Sequence, residues 1–129
     1  MAYVDIVTAL AVLQFFVFGV KVARARGKYG VKAPAITGNA IFERHFRVQQ
    51  NTLEQLVILL PGLYLSSRYF NPVWAAALGV VYLVGREIYS ASYVANPAAR
   101  GPGFGLSALS ALALVIGGLA GAILRIMGR

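Results

Sequence analysis

The chain opens with an apolar segment long enough to cross a lipid bilayer. Residues 3–20 are apolar except for Asp5, Thr8 and Gln14, and a membrane-spanning helix needs about 20 mostly apolar residues. Within a bilayer every backbone N–H and C=O must find a partner in the protein, so only helices and closed barrels can cross it. No basic residues precede the segment and no clear cleavage site follows it, so we interpret it as a retained helix and not a cleaved signal peptide.

Three further segments follow the same pattern. The apolar part of the second, residues 56–65, is too short to cross by itself, so its helix must begin near Ile41, bend at Pro61 and end near Tyr69. Pro72 suits the first turn of a third helix. The sequence therefore predicts a single-domain, all-α membrane protein (residues 1–129), a four-transmembrane-helix bundle with spans at approximately 3–24, 41–69, 72–94 and 105–126. The intervening stretches 27–39 and 96–105, rich in glycine and proline, are predicted to be loops.

Charge places these loops on one side of the membrane. Only 12 % of the residues are charged, against about 25 % in a soluble domain. Seven of the twelve Lys and Arg residues fall between Lys21 and Arg47, which argues against a nucleic-acid surface and for the positive-inside pattern. We therefore expect an integral, multi-pass membrane protein with both basic loops in the cytosol and both termini on the opposite side. The chain has no cysteine and one histidine, His45, which excludes disulfides and a cysteine nucleophile and predicts no metal site.

Two polar stripes interrupt the predicted helices. Glu43, Arg47, Asn51 and Glu54 are spaced by four, four and three residues and so share one face of the second helix. Lipid cannot satisfy such groups, so the stripe must face protein or water. Two interpretations remain open from spacing alone: the charges pair between helices and hold an oligomer together, or they bind a polar ligand between helices.

The third helix carries the other stripe and favours a ligand. Tyr82, Arg86, Tyr89 and Tyr93 share one face. Tyrosines at a membrane boundary are commonly anchors, but here they accompany a cation. Cations from three segments, Arg26, Arg47 and Arg100, lie on the predicted cytosolic side, and arginine binds carboxylates through a two-pronged fork. A ligand with several carboxylates and one ammonium group, such as glutathione, would match these groups together with the carboxylate of Glu54.

Two blocks of sequence connect the chain to a known family. The segment Gly38–Glu54 (GNAIFERHFRVQQNTLE) and the segment Tyr82–Tyr89 (YLVGREIY), followed by Tyr93, closely resemble the signature of the MAPEG family, the membrane-associated proteins of eicosanoid and glutathione metabolism. The resemblance covers essentially the whole chain. It implies a homotrimer of four-helix subunits that bind glutathione between adjacent subunits at the cytosolic side.

The resemblance also implies a role for particular residues. The implied glutathione-binding residues are Arg26 and Gln49 from one subunit and Arg47, Asn51, Glu54, Tyr89 and Tyr93 mainly from its neighbour. Arg100 resembles the catalytic arginine that stabilises the glutathione thiolate. The chain departs from the leukotriene C4 synthase branch at Gly27, where that enzyme has a second catalytic arginine, and at Gln55, which replaces a tyrosine that touches glutathione. These departures weaken the case for leukotriene synthesis and leave the thiolate-forming group in place.

The implied function is that of a glutathione S-transferase or peroxidase with glutathione as its co-substrate. An ordinary cysteine thiol has a pKa of about 8.5 and is mostly protonated at pH 7. One charge-assisted hydrogen bond from Arg100, about 1.5–3 kcal/mol, would stabilise the thiolate enough to change this. The thiolate would attack a hydrophobic electrophile or a lipid hydroperoxide dissolved in the membrane. Two alternatives remain, a non-catalytic lipid-binding scaffold resembling the five-lipoxygenase-activating protein and a small transporter subunit.

Overall fold

Four long α-helices make up the protein in the computed structural model, which describes residues 1–129. The helices are α1 (Ala2–Tyr29), α2 (Ala40–Tyr69), α3 (Pro72–Ala95) and α4 (Gly101–Ile126), with a short 3₁₀ turn, Pro97–Ala99, between α3 and α4. α2 and α3 pack against each other, α1 packs against both of them, and α4 packs against both from another side. The prediction of an all-α chain with four helices is confirmed.

Local sequence explains where the helices begin and end. The side chain of Asn39 accepts the N–H groups of Ile41 at 2.9 Å and Phe42 at 3.0 Å, which caps the start of α2. Asn71 caps α3 in the same way, with Pro72 in the first turn. Gly30 ends α1 with a φ of 70°, in the left-handed region where glycine is unstrained.

The predicted loops are shorter than expected. α1 continues through Gly27 to Tyr29, and the segment Gly101–Gly105 forms the beginning of α4, so the prediction of loop structure at these positions is wrong. Pro102 does not break α4, because the first helical turn has no intrahelical partner for the missing N–H. Gly103 does not end the helix, and it lies directly against Tyr89 of α3.

The exterior of the bundle is apolar. α1 and α4 are each long and apolar enough to cross a membrane, judged by length and composition, with a mean hydropathy of 2.1 over their best stretches. Large apolar side chains point outwards on the other helices as well, for example Val57 at 69 % and Trp74 at 73 % exposure. Soluble monomers rarely carry such continuous apolar surface. α3, the shortest helix at 24 residues, is about 36 Å long and exceeds a hydrocarbon core of about 30 Å.

Small residues let α4 approach α2 closely. Gly121 lies against Tyr69, whereas Gly117 is less tightly packed: a Cβ added to Gly117 would lie 3.3 Å from the Ser66 hydroxyl. Gly118 is the other glycine of α4 that packs tightly against α2, since a Cβ added to it would lie 2.5 Å from the Cβ of Leu65. The glycines of α4 therefore make this close contact with α2 of the same chain.

Candidate functional site

Five of the eight predicted site residues line one cavity. The cavity has a volume of about 330 Å³ and lies between α2, the last turns of α3 and the beginning of α4. Its lining residues are Arg47, Asn51, Tyr89, Tyr93, Arg100 and Phe104. Two guanidinium groups, one amide and two phenols therefore converge on one space that no carboxylate lines. Such a lining suits an anionic, polar ligand.

Arg86 lies fully buried behind this cavity. Its Nη1 donates to Oδ1 of Asn51 at 2.7 Å, and its Nε and Nη2 donate to the hydroxyl of Ser107 at 3.0 and 2.7 Å. A longer bond of 3.4 Å joins Nη1 to Thr52. All these partners are neutral, so the subunit stabilises a buried cation through hydrogen bonds and not through an ion pair.

Arg86 fixes the orientation of two cavity residues. Because Oδ1 of Asn51 accepts from Arg86, the amide nitrogen of Asn51 keeps both of its donors for the cavity. The guanidinium also lies over the ring of Tyr89, 4.2 Å from its centroid. Tyr89 in turn stacks on Tyr93, with ring centroids 5.6 Å apart. The second polar stripe of the sequence thus supports the cavity from behind as well as lining it.

Two glycines allow α3 and α4 to approach closely enough to build this arrangement. A Cβ added to Gly85 would lie 2.7 Å from the backbone nitrogen of Ser107, and one added to Gly103 would lie 2.6 Å from Cα of Tyr89. Real Cβ atoms essentially never come so close to backbone atoms. The close approach brings the Ser107 hydroxyl to Arg86 and brings the beginning of α4 to the cavity.

Arg100 occupies the position immediately before α4. Its Nη1 donates to the carbonyl oxygen of Pro97 at 3.0 Å, and the side chain is otherwise exposed. The first N–H groups of a helix have no intrahelical partners, and this end carries the positive pole of the helix dipole. An anion held at Arg100 would therefore meet a guanidinium and a helix N-terminus together.

Three of the predicted residues lie outside the cavity. Arg26 donates to the carbonyl of Ala35 at 2.6 Å and lies over the ring of Phe42, 4.7 Å from its centroid. Gln49 faces a separate apolar groove along α1. Glu54 is exposed on the outside of α2. A single chain therefore brings together Arg47, Asn51, Tyr89, Tyr93 and Arg100, and leaves Arg26, Gln49 and Glu54 apart from them.

The polar stripes are only partly continuous in the structure. Glu43, the first member of the α2 stripe, accepts the N–H of Gly38 at 3.3 Å beside the helix start and does not reach the cavity. Glu87 of α3 accepts from the side-chain amide of Gln14 at 3.1 Å and does not line the cavity. No group of three or more His, Cys, Asp or Glu residues is arranged to hold a metal ion.

Sequence reasoning missed three contributors to the site. Phe104 falls in a segment predicted to be a loop, so helical periodicity was not applied to it. Ser107 acts through its hydrogen bond to Arg86, which is 21 residues away in the sequence, and no local pattern predicts this contact. Arg86 was noticed on its stripe but not assigned to the site, although an ionisable residue within an apolar helix is by itself a functional signal.

The match to known proteins covers the same parts of the chain. The family model described as the MAPEG family matches residues 4–120, a range that contains the whole cavity. The chain belongs to the MAPEG family. Membership of this family, together with the two long apolar helices, indicates a membrane protein.

Individual relatives are similar over most of their length. Microsomal glutathione S-transferase 2 of Homo sapiens is 43 % identical over 109 residues, which are 84 % of this chain and 74 % of that protein. An uncharacterized protein of Synechocystis sp. is 50 % identical over 114 residues, 88 % of this chain and 83 % of the other. Leukotriene C4 synthase of Cavia porcellus is 37 % identical over 94 residues, 73 % of this chain and 63 % of that protein.

Proposed function

We propose that this MAPEG chain is a membrane-bound glutathione S-transferase, with glutathione peroxidase activity, that activates glutathione as a thiolate against hydrophobic electrophiles or lipid hydroperoxides. The observation that carries the proposal is the cavity in which Arg47, Asn51, Tyr89, Tyr93 and Arg100 converge. Relatives named as glutathione S-transferases, at 40–43 % identity, support the same class of reaction.

The cavity lining supplies what the peptide part of glutathione needs. Arg47 presents a guanidinium fork to a carboxylate, Asn51 offers its two amide donors, and Tyr89 and Tyr93 add phenol groups. Glutathione carries a second carboxylate and one ammonium group, which these residues leave unmatched. We assign the second carboxylate to Arg26 and Gln49 of an adjacent subunit, and the ammonium to Glu54 of the subunit that supplies Arg47.

Arg100 and the beginning of α4 supply the chemistry. The glutathione thiol gives its proton to solvent, and the guanidinium stabilises the thiolate that remains. In the transferase reaction the sulfur forms a bond to the electrophilic carbon, and the leaving group departs with its electron pair. In the peroxidase reaction the thiolate attacks the terminal hydroperoxide oxygen, the O–O bond breaks, and the departing alkoxide takes a proton from solvent to leave as an alcohol. The resulting sulfenic acid condenses with a second glutathione to give the disulfide and water.

The assembly and orientation are part of the proposal. All four helices cross the membrane, the site faces the cytosol, both termini lie on the opposite side, and the subunits form a homotrimer. Glu54 supports the trimer, because an exposed carboxylate beyond the first turns of a spanning helix needs a polar partner that lipid cannot offer. Arg26 and Gln49 support it as well, because both lie outside the cavity of their own subunit. The seven cations between Lys21 and Arg47 support the orientation.

An ultraviolet thiolate difference spectrum tests the proposed function. Purified protein is titrated with glutathione at pH 7, alongside Arg47→Ala and the control Arg68→Ala, whose arginine lies near the opposite end of α2. We expect a saturable thiolate signal in wild-type protein and in the control, and an affinity at least about tenfold lower in Arg47→Ala, which corresponds to about 1.4 kcal/mol. A protein that binds glutathione in a calorimeter without forming thiolate would contradict the enzyme and favour the non-catalytic scaffold.

A further inference from the structure

A second cavity lies at the basic end of the bundle, away from the candidate glutathione site. It has a volume of about 470 Å³ and opens between the last turns of α1, the first turns of α2 and the last turns of α3. The two cavities share no lining residue. We refer to this space as the basic cleft; its lining residues are Lys21, Arg24, Ala25, Lys28, Tyr29, His45, Ser90, Ala91, Val94 and Ala95.

The basic cleft concentrates positive charge without a carboxylate. Lys21, Arg24 and Lys28 are spaced by three and four residues and so point from one face of α1. The chain has only four acidic side chains, and none of them lines the cleft. The nearest along α3 is Glu87, one turn before Ala91, and it accepts a hydrogen bond from Gln14. The three cations therefore lack a counter-ion in the cleft, which favours binding of an anion.

A serine hydroxyl faces the same space. Ser90 lines the cleft and is only 4 % exposed, yet no side-chain hydrogen bond within the subunit engages its hydroxyl. Other serines of α3 and α4 behave differently: Ser92, Ser107 and Ser110 each bond to a backbone carbonyl one turn earlier. The hydroxyl of Ser90 is thus free to donate to a ligand that enters the cleft.

An apolar groove continues from the basic cleft along the seam between α1 and α3. The groove has a volume of about 470 Å³. Its polar lining residues are Glu87 and Gln14, which are hydrogen-bonded to each other. The other lining residues are apolar: Leu10, Leu13, Val17, Leu83, Val84 and Ile88. On α1, Leu10, Leu13 and Val17 precede Lys21, Arg24 and Lys28 at helical spacing, so both sets lie on one face. The seam therefore presents cations at its end and an apolar channel towards the middle of the bundle. A small inorganic anion would leave that channel unfilled.

We propose that this seam binds an acidic amphiphile, whose anionic headgroup occupies the basic cleft and whose apolar chain lies in the groove between α1 and α3. Lys21, Arg24, Lys28 and Ser90 bind the headgroup, a phosphate or a carboxylate. The headgroup has two natural sources, an anionic phospholipid of the membrane and a free lipid-derived acid. This site is separate from the proposed glutathione site and does not depend on the proposed reaction.

Native mass spectrometry of the delipidated full-length protein in maltoside detergent tests this proposal. The probes are a lysophosphatidylglycerol, the lysophosphatidylcholine with the same chain, and a fatty acid of that chain length. The double variant Arg24→Gln/Lys28→Gln removes two exposed cations of the cleft. The matched control, Arg125→Gln/Arg129→Gln, removes two cations at the other end of the bundle. We expect an acidic probe to bind wild-type protein and the control equally, and to bind the cleft variant roughly 25-fold more weakly, at about fivefold per cation.

One further variant and the comparison of the probes distinguish the two ligand types and exclude a non-specific effect of charge. Ala91→Leu narrows the cleft without changing any charge and should weaken binding of the acidic probe. Preference for the lysophosphatidylglycerol identifies a phospholipid, and preference for the fatty acid identifies a free acid; both support the proposal. Three outcomes would overturn it: the lysophosphatidylcholine binds as tightly as the acidic probes, the control variant loses as much affinity as the cleft variant, or inorganic phosphate displaces the acidic probe completely. Glutathione affinity should be unchanged in the cleft variant, so this test and that of the proposed function can fail separately.

Discussion

At the scale of single residues, Arg86 carries a positive charge into the bundle without a carboxylate to neutralise it. A buried charge is costly unless hydrogen bonds satisfy it, and here Asn51, Thr52 and Ser107 supply them. The same bonds hold Asn51 with its amide donors towards the cavity. Stability and ligand geometry therefore depend on the same side chain, and a substitution at Arg86 should affect both.

A double-mutant cycle between Arg86 and Asn51 measures this dependence. Arg86→Lys keeps a charge but loses the planar fork that reaches Asn51 and Ser107 together. We expect Arg86→Lys and Asn51→Ala each to weaken glutathione binding and to be non-additive, with a coupling of about 0.5–3 kcal/mol by calorimetry. Arg44→Lys is the matched control, since Arg44 donates to the carbonyl of Val94 outside the cavity. Purely additive losses would mean that Arg86 does not position Asn51.

Replacing Arg100 should slow the reaction while leaving most of the glutathione affinity. Arg100→Ala should keep most glutathione affinity, because Arg26 and Arg47 remain for the carboxylates, while the pKa of the bound thiol returns towards its ordinary value of about 8.5. The thiolate is the reactive form, so raising this pKa moves activity to higher pH. We expect turnover with a generic aryl halide to fall by roughly tenfold or more at pH 7 and to recover partly at pH 9.

Arg100→Lys is the companion variant and should rescue only part of the loss, because an ammonium is a compact charge without the guanidinium fork. The readout is a pH–rate profile measured together with thiolate absorbance. If Arg100→Ala retains full absorbance and full turnover at pH 7, another residue activates the thiol, and Tyr89 and Tyr93, which line the same cavity, become the candidates.

At the scale of the elements, the contact between α3 and α4 decides whether the cavity forms. The two helices meet at Gly85 and Gly103, where any side chain would press on the backbone of the opposite helix. This close approach aligns Ser107 with Arg86 and sets the N-terminus of α4 beside Tyr89. The glycines therefore act on the site through helix position, since neither can contact a ligand through a side chain.

Gly103→Ala and Gly105→Ala form a matched pair that tests this contact. Both glycines lie in the first turns of α4, but a Cβ at Gly105 meets nothing within 4 Å, whereas one at Gly103 collides with Tyr89. We expect Gly103→Ala to lower stability by about 1–3 kcal/mol through overpacking. Gly105→Ala should be neutral or stabilising by up to about 1 kcal/mol, because alanine favours the helix.

The measurements for this pair are the apparent unfolding temperature in detergent and glutathione affinity. Gly103→Ala should lower both, and Gly105→Ala should lower neither. Indistinguishable behaviour of the two variants would show that the close approach of α3 and α4 is unimportant for the site.

At the scale of the whole molecule, the predicted site residues Arg26 and Arg100 lie in different parts of the chain's surface, and this separation has a consequence for the oligomeric state. Arg100 lines the cavity, whereas Arg26 is turned towards Ala35 and Phe42 of its own chain. If one site combines both residues, it has to lie between two subunits. In a ring of subunits each interface joins two different copies, so the site can be rebuilt from two defective chains.

Mixing Arg26→Ala and Arg100→Ala subunits tests the shared site and the trimer together. Each homo-oligomer should be nearly inactive at pH 7. In randomly mixed trimers about a quarter of the interfaces combine the intact Arg26 of one chain with the intact Arg100 of the other, so activity should recover to about a quarter of the wild-type level. Native mass spectrometry should report trimers. Trimers that show no recovery would place both arginines in sites within single subunits, and exclusively monomeric protein would contradict the assembly.

Most of the helical architecture can be predicted from the sequence, because helix starts and lengths depend on local patterns of residues. Apolar runs of spanning length, the cap at Asn39 and the start at Pro72 depend on neighbouring residues, so the four helices were predicted nearly in full. The prediction of a loop at Gly101–Gly105 is wrong, because Gly103 serves close packing against Tyr89 of α3, and α3 is not adjacent in sequence.

The sequence by itself determined the helices, the faces that carry polar residues and the family, since helical periodicity and signature spacing are properties of adjacent residues. Only the tertiary structure decided which polar residues share a space: Arg86 finds its partners 35 and 21 residues away, and the basic cleft draws its lining from three helices. Periodicity gives the direction of a side chain from its own helix axis. It does not give the neighbouring helix towards which that side chain points, because that choice depends on where small residues such as Gly85 and Gly103 let two backbones meet.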